Sequence, residues 1–170
     1  MYIFDGIRAL MFIVRALLLL TITGICAVTD LKWRRIPNRI VAAGFGLGAA
    51  LYIVSAVLYP ENIPIIDPEI TDISYSIIFI IVLIILFSLR LMGAGDIKLY
   101  AFVVFMYPGS LSLNIIIISM LTAGVISAAK LIKRHLISGH SVNGTVPLAV
   151  FIFIASLIAV ITKGEFIWRG

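Results

Sequence analysis

The chain has 170 residues, 62% of them hydrophobic and only 12% charged, with a mean hydropathy of +1.21. No water-soluble domain of this size covers so much apolar surface, so composition places the chain in the membrane class. Its 13 Lys and Arg outnumber its 8 Asp and Glu, but the cations fall in short clusters between apolar runs, a membrane-topology pattern rather than a nucleic-acid-binding one.

The apolar runs cover residues 10–28, 40–59, 73–91, 97–107, 113–132 and 146–161. The first, with Arg8 before it and Arg15 inside it, imitates a secretory signal. It is nevertheless long enough to span, and the four cations that follow (Lys32, Arg34, Arg35, Arg39) resist export, so it is expected to stay in place. Arg8 and Arg15 share one helix face and are expected to snorkel outward. The lone cysteine, Cys26, excludes an internal disulfide and a four-cysteine zinc site, and reads as a small helix packer. Before the second run, Pro37 pushes Ile36 away from helical geometry and Asn38 is expected to cap the next helix. Gly44, Gly46 and Gly48 suit close helix packing, Gly44 and Gly48 in small-xxx-small spacing.

The connection after the second run is acidic (Glu61, Asp67, Glu69, Asp72) and reads as solvated exterior. The third run ends at Gly93-Ala94-Gly95-Asp96. The fourth then has only 11 residues, a rise of roughly 16 Å. It crosses a bilayer only if the Gly93–Asp96 turn is sunk below the surface, where irregular backbone requires protein or a water-filled cavity around it. The fifth connection carries Lys130, at the end of the fifth run, with Lys133 and Arg134; His135 and His140 read as loop residues. The cationic first, third and fifth connections are expected in the cytoplasm, with both termini outside. The chain shows no internal repeat and no linker, so residues 1–170 are expected to form a single domain.

Two carboxylates stand out. Asp30 closes the first run and Asp96 lies between two apolar runs; on the expected topology both face the cytoplasm. An ionisable residue at membrane depth marks a functional site by default. Peptide hydrolysis by carboxylates needs two of them sharing one proton: the ionised one takes a proton from water while the protonated one polarises the scissile carbonyl. Close carboxylates resist ionising together, and such a pair is described by its joint titration. Gly93 and Gly95 allow positive φ and close approach of a substrate backbone, and Lys98 is expected to snorkel to lipid headgroups. Each acid also has a plainer reading, Asp30 as an interfacial partner of Lys32, Arg34 or Arg35, and Asp96 as a helix cap.

Together, these residues resemble the type IV prepilin peptidases, membrane aspartic proteases of the GxGD class. Asp30 through Asn38 is similar to the family's first aspartate segment, which ends in Ile-Pro-Asn. Gly93-Ala94-Gly95-Asp96-Ile97-Lys98-Leu99 is similar to its second, Gly-x-Gly-Asp-x-Lys-Leu. Val146-Pro147 resembles a proline-containing segment that opens the family's last helix. The resemblance implies an all-α polytopic membrane protein of six transmembrane helices, with Asp30 and Asp96 catalytic and Gly93, Gly95, Lys98, Pro37 and Asn38 in support. It implies a prepilin-like protein substrate, cut at the cytoplasmic face of the inner membrane just before its hydrophobic helix, with no metal or other cofactor. The chain's size resembles the short branch serving tight-adherence (Flp-type) pili. Zinc-binding cysteines accompany methyltransferase activity in the larger members, so no methylation is expected here. Tyr100 and Met106-Tyr107-Pro108-Gly109 are bulkier than the family pattern suggests, which puts the packing of the fourth helix in question. Two other classes share these acids: a proton-coupled transporter, which would show inverted halves, and a non-catalytic membrane subunit of a pilus or secretion assembly, which would tolerate loss of both carboxylates.

Overall fold

In lipid a chain segment must satisfy its own backbone N–H and C=O groups, and within one segment only a helix does so. The computed structural model describes residues 2–58, 70–90, 92–137 and 146–162; apart from short connections these are helical, with no strand among them. Six helices follow one another: α1 (Tyr2–Trp33), α2 (Asn38–Leu58), α3 (Ile70–Ser88), α4 (Ala94–Met106), α5 (Ser110–Ile137) and α6 (Leu148–Ile161). Three of them contain stretches long and apolar enough to cross a membrane, Leu10–Trp33, Asn38–Val57 and Ser110–Lys130, and two shorter apolar helical segments are Ser76–Ser88 and Leu148–Ile161. Each expected run has become a helix. The acidic residues Glu61, Asp67 and Glu69, and His140, lie outside the described residues. His135 belongs to α5 rather than to a loop.

The helix ends depart from the expected ones for local reasons. Leu31, Lys32 and Trp33 continue α1, so Asp30 sits in its last turn and not in a connection. The helix stops where Arg34 turns into the left-handed region (φ 53) while its N–H still bonds the Asp30 carbonyl at 3.0 Å. Arg90 is left-handed too, with φ 57, just after α3. A left-handed non-glycine residue costs about 1–2 kcal/mol, and in both places a cation near a helix C-terminus offsets part of it.

The short fourth helix is the centre of the molecule. It packs against α1, α2, α3, α5 and α6, while α1 lies along α6 and α6 along α5. Its Leu99, Tyr100, Phe102, Val103, Val104 and Met106 are buried, and residues from all six helices join them in one apolar cluster. The bulky residues are accommodated: the Tyr100 hydroxyl shares a hydrogen bond with Ser119 at 2.8 Å, and the Tyr107 hydroxyl donates to the Phe12 carbonyl at 2.9 Å. Gly44 and Gly48 make room for them, since a Cβ there would come within 3.0 Å of Phe102 and 2.8 Å of Phe105. Gly46 faces nothing within 4 Å and has no packing role. Cys26 is fully buried, as a small packer should be. By contrast α3 presents Ile77, Ile78, Ile81, Ile84 and Ile85 outward, a surface suited to lipid.

Thirteen residues raise α4 only about 20 Å, so one of its ends stops inside the bundle. At its C-terminal end, Tyr52 donates to the Phe105 carbonyl at 2.8 Å. The Arg15 guanidinium stacks over the Tyr52 ring at 4.2 Å. Arg15 is 8% exposed, so it does not snorkel outward as expected; the aromatic face and the negative end of α4 hold the cation inside.

Candidate active site

At the opposite end of α4 the C-terminus of α1 and the N-termini of α4 and α6 come together. Asp30 reaches this point from the last turn of α1 and is 8% exposed. Its Oδ2 accepts the backbone N–H of Ala149 at 3.2 Å. That N–H belongs to the first turn of α6, whose N-cap is Pro147 with no side-chain cap of its own. The first N–H groups of a helix have no partner inside it, and the helix dipole favours an anion beside them. Asp30 thus caps α6 from a distant part of the chain.

Asp96 arrives from the first turn of α4 and is half-buried. Its carboxylate turns back toward the Gly93 backbone, close enough that a Cβ on Gly93 would lie 3.1 Å from Oδ2. Asp30 and Asp96 stand within electrostatic reach of one another, the charge on one bearing on the other. Two acids remote in sequence therefore occupy one end of the bundle, Asp30 holding the Ala149 N–H at the start of α6 and Asp96 lying in the first turn of α4.

The glycines work differently from the sequence expectation. Gly93 is extended (φ −71, ψ 145) and Gly95 is helical; among the described glycines only Gly109 has positive φ, at 92. What Gly93 and Gly95 supply is closeness. A Cβ on Gly93 would lie 3.1 Å from Asp96 Oδ2, and one on Gly95 would lie 3.1 Å from Ile36 Cβ. Any side chain at either position would press on the carboxylate or on the segment that follows Asp30.

A further expectation is corrected and another gains a partner. Asn38 does not cap α2: the Ile40 and Val41 N–H groups bond to the Pro37 carbonyl at 3.1 and 3.4 Å, which makes Pro37 the capping position. Lys98 is exposed, and its Nζ donates to Asn38 Oδ1 at 3.0 Å. Sequence reasoning missed this contact and the Ala149 N–H. The signal for the second was present: a helix opening on Val146-Pro147 has no side-chain cap, so its first N–H groups need an acceptor from elsewhere. Among the described residues no three His, Cys, Asp or Glu side chains gather in a way that could hold a metal ion.

The sequence profile of the type IV leader peptidase family matches residues 17–128, a span that contains both aspartates and most of the surrounding contacts. The chain belongs to that family. It is a membrane peptidase with a fold of the membrane aspartic protease type, acting on a protein substrate. Comparison with curated proteins and with solved structures returned no match. Ala149, which holds Asp30, lies beyond the matched span.

Proposed function

We propose that this leader peptidase is an aspartic endopeptidase whose nucleophile is a water molecule activated between Asp30 and Asp96. One proton is shared by the pair. The ionised carboxylate takes a proton from the water as its oxygen attacks the scissile carbonyl carbon. The protonated carboxyl donates to the carbonyl oxygen, and the resulting diol collapses with proton transfer to the leaving amine. The observation that carries this reading is the meeting of the two acids at one end of the bundle, Asp30 buried and bonded to Ala149, Asp96 half-buried beside it.

The substrate on this reading is a prepilin-like precursor of the Flp type, with a short basic leader cut just before its hydrophobic helix. The exposed cations Lys32, Arg34, Arg35, Arg39 and Lys98 flank the aspartates. This supports an active site at the cytoplasmic face of the inner membrane, in a single multi-pass domain over residues 1–170. No metal enters the chemistry proposed.

The test is co-expression with a Flp-type prepilin, scoring the mobility shift that accompanies loss of the leader. Wild type is expected to convert the precursor. Asp30→Asn and Asp96→Asn, each close in shape to the original, are expected to leave it uncut. Conversion by either variant would reject the pair.

A further inference from the structure

The two aspartate segments touch at more than their carboxylates. Gly95 and Lys98 stand three residues apart on one face of α4. Ile36 and Asn38 flank Pro37, whose ring fixes the backbone between them. That face and the Ile36–Asn38 segment meet twice: Gly95 lies against Ile36, where an added Cβ would approach to 3.1 Å, and Lys98 donates to Asn38 at 3.0 Å. Asn38 follows the capping Pro37 as the first residue of α2, which leaves its side chain pointing out of the helix toward Lys98.

The geometry points to a clasp in which Lys98 and Asn38 are positioning residues that hold the Asp96 turn against the segment following Asp30. The inference rests on reading Asp30 and Asp96 as the catalytic pair and adds the device that sets their separation. Asp30 is already tied to α6 through Ala149, and Asp96 folds back against its own turn at Gly93. Neither tie fixes one acid relative to the other. Among the contacts that span the two segments, the Ile36 packing and the Lys98 bond lie nearest the acids in sequence, and the bond is the directional one. Both of its side chains are exposed, so its strength is modest and its effect is on geometry. A general acid or base displaced by an ångström loses much of its rate while substrate binding persists.

The test uses the full-length protein in lipid nanodiscs with a purified Flp-type prepilin precursor. Lys98→Met and Asn38→Leu are each expected to lower kcat about tenfold with KM within about twofold. The double variant is expected to be no worse than either single one, and Lys98→Arg and Asn38→Asp to recover most of the rate, since each restores a donor or acceptor. Thermal unfolding of the same proteins, which needs no substrate, is expected to show non-additive shifts for the pair. A silent Asn38→Leu beside a damaging Lys98→Met would mean that the lysine serves the lipid surface, and would overturn the clasp. Additive losses in the double variant would overturn it too. A wild-type protein that cuts no precursor but shows the thermal coupling would instead overturn the peptidase mechanism, and the positioning role with it, leaving only the contact.

Discussion

Asp30 and Asp96 are surrounded by atoms whose absence matters as much as their presence. Gly95 has no side chain because Ile36 occupies the space one would need, and Gly93 has none because the Asp96 carboxylate does. Gly95→Ala is expected to fold, with Ile36 displaced by a few tenths of an ångström, and to lose at least tenfold in cleavage rate through misplaced carboxylates. A kinetic assay against a prepilin precursor checks this, and wild-type rates would show that the close approach is irrelevant. Ala149 offers the opposite kind of test, since it contributes only a backbone N–H to Asp30. Ala149→Pro replaces that donor with a ring carbon aimed at Asp30 in a fully buried place, so the carboxylate has to shift. The variant is expected to lower thermal stability modestly and to cut precursor at least tenfold more slowly; unchanged cleavage would mean that the position of Asp30 against α6 does not matter. The pair should also impose a two-limbed pH–rate profile. Below the lower limb both carboxyls are protonated and no base remains; above the upper limb both are ionised and no acid remains. A rate that rises monotonically with pH would point to a single titrating group.

At the scale of elements, α4 decides the architecture, and its shortness requires help at both ends. Gly44 and Gly48 admit Phe102, Phe105 and Met106 between α2 and α4, and the Tyr52 hydroxyl serves the carbonyl of Phe105. Gly48→Val is expected to destabilise the bundle by about 1–3 kcal/mol, the usual cost of forcing atoms into a filled site, whereas Gly46→Val, which meets nothing, is expected to be neutral. Thermal unfolding in detergent compares the two directly, and equal effects would contradict the packing described. The existence of each helix was legible from hydropathy, and so was the small-xxx-small spacing of Gly44 and Gly48. Hydropathy does not encode which way a helix is rotated. That is why Arg15 was expected to snorkel outward and lies instead over the Tyr52 ring, and why Gly46 was grouped with its neighbours. Helix rotation is settled by packing between segments, and a single apolar run carries no record of its neighbour's faces.

Across the whole molecule, the six helices deliver the end of α1 and the starts of α4 and α6 to one place. Most of that convergence was legible, because the two acid-bearing segments each adjoin a cationic connection and alternate connections of a helical membrane protein share a side. The tertiary ties were not: the bond from Ala149 to Asp30 and the bond from Lys98 to Asn38 join residues whose proximity only the folded chain creates. Catalytic groups that act as a unit lose their effect together, so removing the second costs little once the first is gone. The most direct measurement is the single-turnover cleavage rate of a purified prepilin precursor by the wild type, Asp30→Asn, Asp96→Asn and the double variant. Each single substitution is expected to reduce the rate to background, with the double variant indistinguishable from either. Substantial cleavage by one single variant, or a double variant far slower than both, would contradict a proton shared between these two residues.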